Sequence, residues 1–172
     1  MFDVLSQMAR TGILTERPEG FKDASSAFDA MQKNLRSLLS RALAIRHVDA
    51  GSCNGCELEI QALNNPYYNL EGVGIKFVAS PRHADLLLVT GPVSVNMEEA
   101  LKRTYDAVPD PKLVIAVGDC AACGGVFRRN YASRGSIENV IPVHRTISGC
   151  PPSPMAILTG IFDAVQTVLV ER

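Results

Sequence analysis

Tryptophan is missing from this 172-residue chain, and aromatic residues together make up only 6% of it. Stacking platforms for nucleobases are therefore scarce. Charge gives no help to a nucleic-acid reading either, since the net charge is −1 and the basic residues form no dense cluster. The opening stretch "MFDVLSQMAR" has neither a basic start nor a long apolar core, so no secretory signal is visible. Arg128-Arg129 lies far too deep for a twin-arginine leader. The longest uncharged run, Thr146 to Phe162, holds three prolines and a cysteine and cannot be a spanning helix. These absences exclude a nucleic-acid partner and predict a cytoplasmic chain that meets a membrane only at its surface, through partners.

What is present is ordinary for a globular protein: 47% hydrophobic and 20% charged residues. A chain of this length buries roughly 70% of its unfolded surface as one domain. The five cysteines are the unusual feature. In a reducing compartment they point to metal or redox chemistry rather than disulfides. Their odd number leaves at least one outside any four-ligand site.

The chain reads as an N-terminal helical arm, residues 1–44, followed by an α/β domain, residues 45–172. In the arm, Phe2, Leu5 and Met8 fall at helical spacing and "TERPEGFKDASS" is a linker. Ser25 or Ser26 then caps a helix running to about Ala44, with Phe28, Met31, Leu35, Leu38, Leu39 and Ala42 as its apolar stripe. The stripe suits either its own domain or a docking arm for a partner or membrane surface. Beyond it, strands and helices alternate. Ile45–Val48, "GIKFVAS", "ADLLLVTG", "KLVIAVGD" and "IPVHRTIS" read as strands; "CELEIQAL", "NMEEALKRTYDAV" and the C-terminal segment read as helices. Ser153 caps the last helix, Pro154 opens it, and Ile157, Leu158, Ile161, Val165, Val168 and Leu169 form its stripe. Continuous apolar runs such as "ADLLLVTG" suit parallel strands covered on both faces. The alternation predicts a parallel α/β sheet.

Each cysteine-bearing segment follows a strand. Cys53 and Cys56 follow the first, Cys120 and Cys123 follow "LVIAVGD", and Cys150 follows "VHRTIS". Loops leaving the C-terminal ends of parallel strands gather at one edge, so distant cysteines can converge there. Gly51, Gly55, Gly118, Gly124, Gly125 and Gly149 flank them and let backbone pass close to a bulky inorganic group. Four thiolates suit a 4Fe–4S cubane or a zinc ion. The two close pairs, Cys53-x-x-Cys56 and Cys120-x-x-Cys123, satisfy a zinc template but leave "GCPPSP" unexplained. A thioredoxin-like exchange pair and uninvolved core thiols complete the set of readings.

The segments "GSCNGCELEI", "SPRHADLLLVTGPV", "PDPKLVIAVGDCA", "GG" and "IPVHRTISGCPPSP" stand in this order from 51 to 154. Together they closely resemble the small iron–sulfur subunit of membrane-bound, energy-conserving nickel–iron hydrogenases, formate hydrogenlyase included. They also resemble the related 20 kDa complex I subunit. The resemblance covers roughly Ile45 to the C-terminus. It implies a flavodoxin-like three-layer domain with a mainly parallel sheet, holding one 4Fe–4S cluster on Cys53, Cys56, Cys120 and Cys150. It implies electron transfer between iron–sulfur partners and a large catalytic subunit, in an oxidoreductase complex at the cytoplasmic face of the membrane. The implied partners are a large subunit of the nickel–iron hydrogenase or complex I-like kind, a ferredoxin-like subunit and a membrane subunit.

Two departures bear on this. Complex I subunits carry adjacent cysteines where this chain has Cys53-x-x-Cys56, which favours the hydrogenase branch. The family pattern G-x-C-A-x-x-G-G usually has no cysteine where Cys123 stands, which makes Cys123 a spare. The chain also lacks the ferredoxin-like extension of periplasmic small subunits, so one cluster is expected rather than three. Among the neighbours, Glu57 is either a proton relay or a solvated or salt-bridged carboxylate. On a helix starting at Cys53 it shares a face with Cys53, Cys56 and Ile60. Arg82, His83 and Asp85 read as a loop network or as a partner or quinone-like contact. His144 reads as a strand-edge or interface residue rather than a metal ligand.

Overall fold

A computed structural model describes residues 42–170, together with Ser6 and Lys33 as isolated helical positions; of Val168–Val170 only the backbone is described. Five parallel strands form the central sheet: β1 (Leu43–Asp49), β2 (Ile75–Phe77), β3 (Leu86–Thr90), β5 (Leu113–Val117) and β7 (Arg145–Ile147). Their order is β2-β1-β3-β5-β7, and every pairing is parallel. This is the flavodoxin-like order, which reverses direction at β1 and β3. A small antiparallel pair, β4 (Val93–Ser94) and β6 (Ser133–Gly135), lies apart from the sheet.

The apolar runs form strands because both faces are covered. On β3 and β5, Leu86, Leu88, Leu113, Ile115 and Val117 join one core cluster, while Leu87, Val89, Val114 and Ala116 join the other. Alternation with period two along a continuous apolar run is what a doubly covered strand produces. All five β3 residues are buried, and each leucine there contributes roughly 1.5–3 kcal/mol by leaving water.

Helices α1 (Gly55–Ala62), α2 (Leu70–Val73) and α5 (Pro154–Val170) cover the first face. Ile60, Leu70, Val73, Ile157, Leu158, Ile161, Phe162 and Val165 are the side chains they bury. Ser153 caps α5, its Oγ accepting from the Ala156 N–H at 3.3 Å. Helix α3 (Val95–Ala107) and the short α4 (Asp119–Cys123) cover the second face with Leu101 and Ala121. The Ser94 hydroxyl caps α3 by accepting from Met97 N–H at 3.3 Å.

The fold expected from the sequence is therefore present, with local corrections. β1 starts at Leu43, so Leu43 and Ala44 are strand where the sequence predicts the end of a helix. Leu43 and Ala44 are buried there, and Leu43 N–H bonds Gly74 O at 2.8 Å. The rest of the expected arm, apart from Ser6, Lys33 and Ala42, lies outside the described residues, as do the side chains of Val168 and Leu169. The expected strand 141–148 shortens to Arg145–Ile147. Short α2, α4 and the β4–β6 pair, of two to five residues each, carry no periodicity by which to be read. No described helix is long and apolar enough to cross a membrane.

Candidate functional site

Parallel strands send their following loops to one edge, and the cysteines occupy three of those loops. Asp49 ends β1 and organises the first: its Oδ1 accepts from Gly51 N–H at 2.8 Å and Ser52 N–H at 2.7 Å. Asn54 then turns the chain through φ +71°, and α1 begins at Gly55. Cys53 thus precedes the helix while Cys56 sits in its first turn. The expectation that both ride one helical face fails at this left-handed residue. Cys120 is the second residue of α4, directly after β5, and Cys150 follows β7.

The cysteine loops are pinned to each other. Gly118 N–H donates to Ile147 O at 2.8 Å, and Asp119 N–H to Gly149 O at 2.9 Å. Gly149 N–H returns a bond to Asp119 Oδ1 at 2.8 Å. The loop after β3 carries no cysteine but braces the first loop, since a Cβ on Gly91 would lie 2.5 Å from Ser52 N.

Glycines stand where the thiols need room. At Gly118 (φ +88°) a Cβ would come within 2.6 Å of Cys56 Sγ, and at Gly125 (φ +52°) within 2.7 Å of Cys120 Sγ. Both conformations also disfavour any L side chain. The thiols sense one another. Burial pushes Cys56 up to about 12, helped by the charges of Glu57, Cys120, Cys53 and Cys150. Burial likewise raises Cys120, with Cys150 and Cys53 the next causes. Asp119 and Cys123 add to the rise at Cys120, so all five cysteines bear on the same strand-end edge. All five cysteines are free thiols. Among the described residues, no group of three or more His, Cys, Asp or Glu side chains is placed so as to hold a metal ion.

Cys123, at the end of α4, is exposed like Cys53 and Cys150, but its Sγ donates to Asp119 O at 3.2 Å, one turn back.

Glu57 is not solvated. It is 7% exposed, and neither carboxylate oxygen has a hydrogen-bond partner. His47 faces it, its Nε2 3.9 Å from Glu57 Oε1 and 3.0 Å from Thr90 Oγ1. Burial lowers the His47 pKa, opposed by the carboxylates of Glu57 and Asp49.

Arg82, His83 and Asp85 precede β3, at the opposite end of the sheet from the cysteines. Asp85 knits strand starts there: its Oδ2 accepts from Ala44 N–H at 3.0 Å and its carbonyl accepts from Leu113 N–H at 3.1 Å. A cleft of about 400 Å³ opens beside them, lined in part by Lys76, Arg82, His83 and Asp85. His144 sits at the sheet edge, its Nδ1 accepting from Val114 N–H at 3.0 Å. Sequence reasoning missed the roles of Asp49 and Asp119. Their signal was present, since each carboxylate stands between a strand and a cysteine, where a loop needs a local acceptor.

Fold and site together define a flavodoxin-like α/β domain with a thiol-rich edge at the C-terminal ends of its strands. The chain belongs to the NADH ubiquinone oxidoreductase, 20 Kd subunit, family, matched over residues 53–164. It is 46% identical over 132 residues to the probable membrane-bound hydrogenase subunit mbhJ of Pyrococcus furiosus, covering 77% of this chain and 79% of that one. Against formate hydrogenlyase subunit 7 of Escherichia coli the identity is 43% over 136 residues, covering 79% of this chain and 53% of that one. An NADH-quinone oxidoreductase subunit of Chloroflexus aurantiacus is 44% identical over 118 residues, with 68% of this chain and 67% of that one covered. Among solved structures, the archaeal membrane-bound sulfane sulfur reductase complex contains a chain of TM-score 0.66 and 32% identity, covering 81% of this chain and 75% of that one. These relatives are subunits of oxidoreductase complexes.

Proposed function

We propose that this chain is the electron-transfer subunit of a membrane-associated hydrogenase-type oxidoreductase and carries one 4Fe–4S cluster on Cys53, Cys56, Cys120 and Cys150. The observation that carries the reading is the thiol edge itself. Three strand-end loops carry the four cysteines, hydrogen bonds tie the Cys120 and Cys150 loops together, and Gly118 and Gly125 keep side chains away from Cys56 and Cys120. Bound there, a cubane supplies one-electron reduction and reoxidation. The chain's own part is to hold the thiols and to brace their loops through Asp49 and Asp119. The reaction on substrate belongs to a large catalytic subunit, and a ferredoxin-like subunit and a membrane subunit complete the assembly. The chain lies peripherally at the cytoplasmic face of the membrane, held by those partners, with the segment before β1 contributing an arm for docking.

Zinc fits the thiols less well. A zinc ion on the two close pairs would use Cys123 and leave Cys150 out, although the Cys150 loop is bonded to the Cys120 loop through Asp119 and Gly149. A cubane on Cys53, Cys56, Cys120 and Cys150 draws on all three cysteine loops. The complex I-like alternative, with the same cluster role but no nickel in the large subunit, is supported by the 44% identity to the Chloroflexus NADH-quinone oxidoreductase chain. The Cys53-x-x-Cys56 spacing favours the hydrogenase branch. Iron and acid-labile sulfide in the anaerobically purified complex test the cluster. Nickel in the large subunit separates the two assemblies. Zinc in place of iron would overturn the proposal.

A further inference from the structure

The loop between α4 and β6 exposes what a soluble surface normally avoids. Val126 is 90% exposed, Phe127 53% and Tyr131 98%, all within six residues. The loop is nonetheless well fixed. Gly124 N–H bonds Cys120 O at 2.9 Å, and Arg128 N–H bonds Gly124 O at 2.9 Å. Asn130 ties the other side: its Nδ2 donates to Phe127 O at 3.0 Å, and its Oδ1 accepts from Ala132 and Ser133 N–H at 2.8 and 3.0 Å. The base is closed by the β4–β6 pair. A tip already ordered in the free chain loses little conformational freedom when a partner lands on it.

Charge narrows the partner. Arg128 and Arg129 are exposed between Phe127 and Tyr131, and neither has an ion pair among the described residues. Two unpaired guanidinium groups around an apolar centre call for a surface with carboxylates around its own apolar centre. Position narrows it further. The loop starts directly after Cys123, and its Gly125 packs against Cys120. A partner seated on Phe127 and Tyr131 therefore stands beside the thiol edge.

We propose that the Val126–Tyr131 loop docks an acidic iron–sulfur electron carrier, the chain that exchanges electrons with this subunit. The proposal rests on the cluster reading above; position beside the thiols calls for a redox partner, and the two unpaired arginines call for an acidic one.

Photo-cross-linking in the intact complex tests it, with p-benzoylphenylalanine placed at Phe127 in one variant and at Tyr131 in another. The expected adduct is an iron–sulfur protein linked through an acidic surface. The double variants Arg128→Glu/Arg129→Glu and Phe127→Ser/Tyr131→Ser should each lower recovery of that protein with the complex about tenfold, with iron per copy of this chain unchanged. An adduct to a second copy of this chain, to lipid, or to a subunit without iron–sulfur centres would overturn the proposal. So would the absence of adducts at both positions, or full recovery of the carrier with both double variants. A chain without iron sinks the cluster reading; a loaded chain whose loop meets no acidic carrier sinks only the docking.

Discussion

Asp119 and Gly149 exchange two hydrogen bonds across thirty residues of chain. Asp119 N–H donates to Gly149 O at 2.9 Å, and Gly149 N–H donates to Asp119 Oδ1 at 2.8 Å. Each residue adjoins a cysteine, Cys120 on one side and Cys150 on the other. The pair therefore fixes the distance between two loops that the sheet alone would leave adjustable.

Removing the Asp119 carboxylate tests that coupling. Asp119→Ala leaves Gly149 N–H without its charged acceptor, a loss of about 2 kcal/mol. The thermal midpoint should fall and iron should leave faster under a chelator. Asp119→Asn retains a side-chain oxygen and should recover part of both. Identical chelator kinetics in wild type and Asp119→Ala would show that the clamp does not serve the site.

Glycine substitutions separate crowding of the thiols from backbone strain. Gly118→Ala places a methyl 2.6 Å from Cys56 Sγ, whereas Gly74→Ala meets nothing within 4 Å although its φ is +96°. Both should destabilise the fold, Gly74→Ala by about 1 kcal/mol. Only Gly118→Ala should also lose iron, as measured per mole of chain.

Acid should loosen the contact between α3 and β6. Glu98 accepts from Lys102 Nζ at 2.7 Å and from Arg134 Nε at 2.6 Å, and these bonds hold its pKa down to about 2. A carboxylate depressed in the folded state adds stability above its unfolded pKa, near 4.5, and that contribution disappears as pH falls toward 2. Thermal midpoints from pH 6 down to pH 2 should therefore show a steeper acid loss in wild type than in Glu98→Gln. Because the pairs are partly exposed, added salt should shrink the difference.

Thiol reactivity in iron-free protein should follow the site's electrostatics. Burial and neighbouring negative charge hold Cys56 at about 12, so its thiolate is scarce at pH 8. Cys123 is exposed. Timed alkylation mapped by mass spectrometry should modify Cys123 early and Cys56 last. Early modification of Cys56 would mean that the α1 edge opens without iron.

The parts of the fold that periodicity and length can carry were legible in the sequence. "ADLLLVTG" and "KLVIAVGD" announce buried parallel strands, and the observed β3 and β5 lie inside them, because continuous apolar runs leave few other folds. The convergence of the cysteine loops followed from strand direction alone. Three features did not follow. Glu57 reads as a relay or as a solvated or salt-bridged carboxylate, and its burial without a hydrogen-bond partner, on a helix that begins at Gly55 after a left-handed Asn54, is not revealed by composition. The β4–β6 pair is too short for any period. Leu43 and Ala44 fit a helical stripe as well as a strand, and tertiary pairing with β2 decides between them.

The most direct test of the central claim is iron and acid-labile sulfide per chain across the five single Cys→Ala variants, purified anaerobically within the complex. Cys53, Cys56, Cys120 and Cys150 should each prove necessary for full loading, while Cys123→Ala, which loses only a bond to Asp119 O, should match wild type. An iron-free Cys123→Ala protein beside a loaded Cys120→Ala protein would contradict the account.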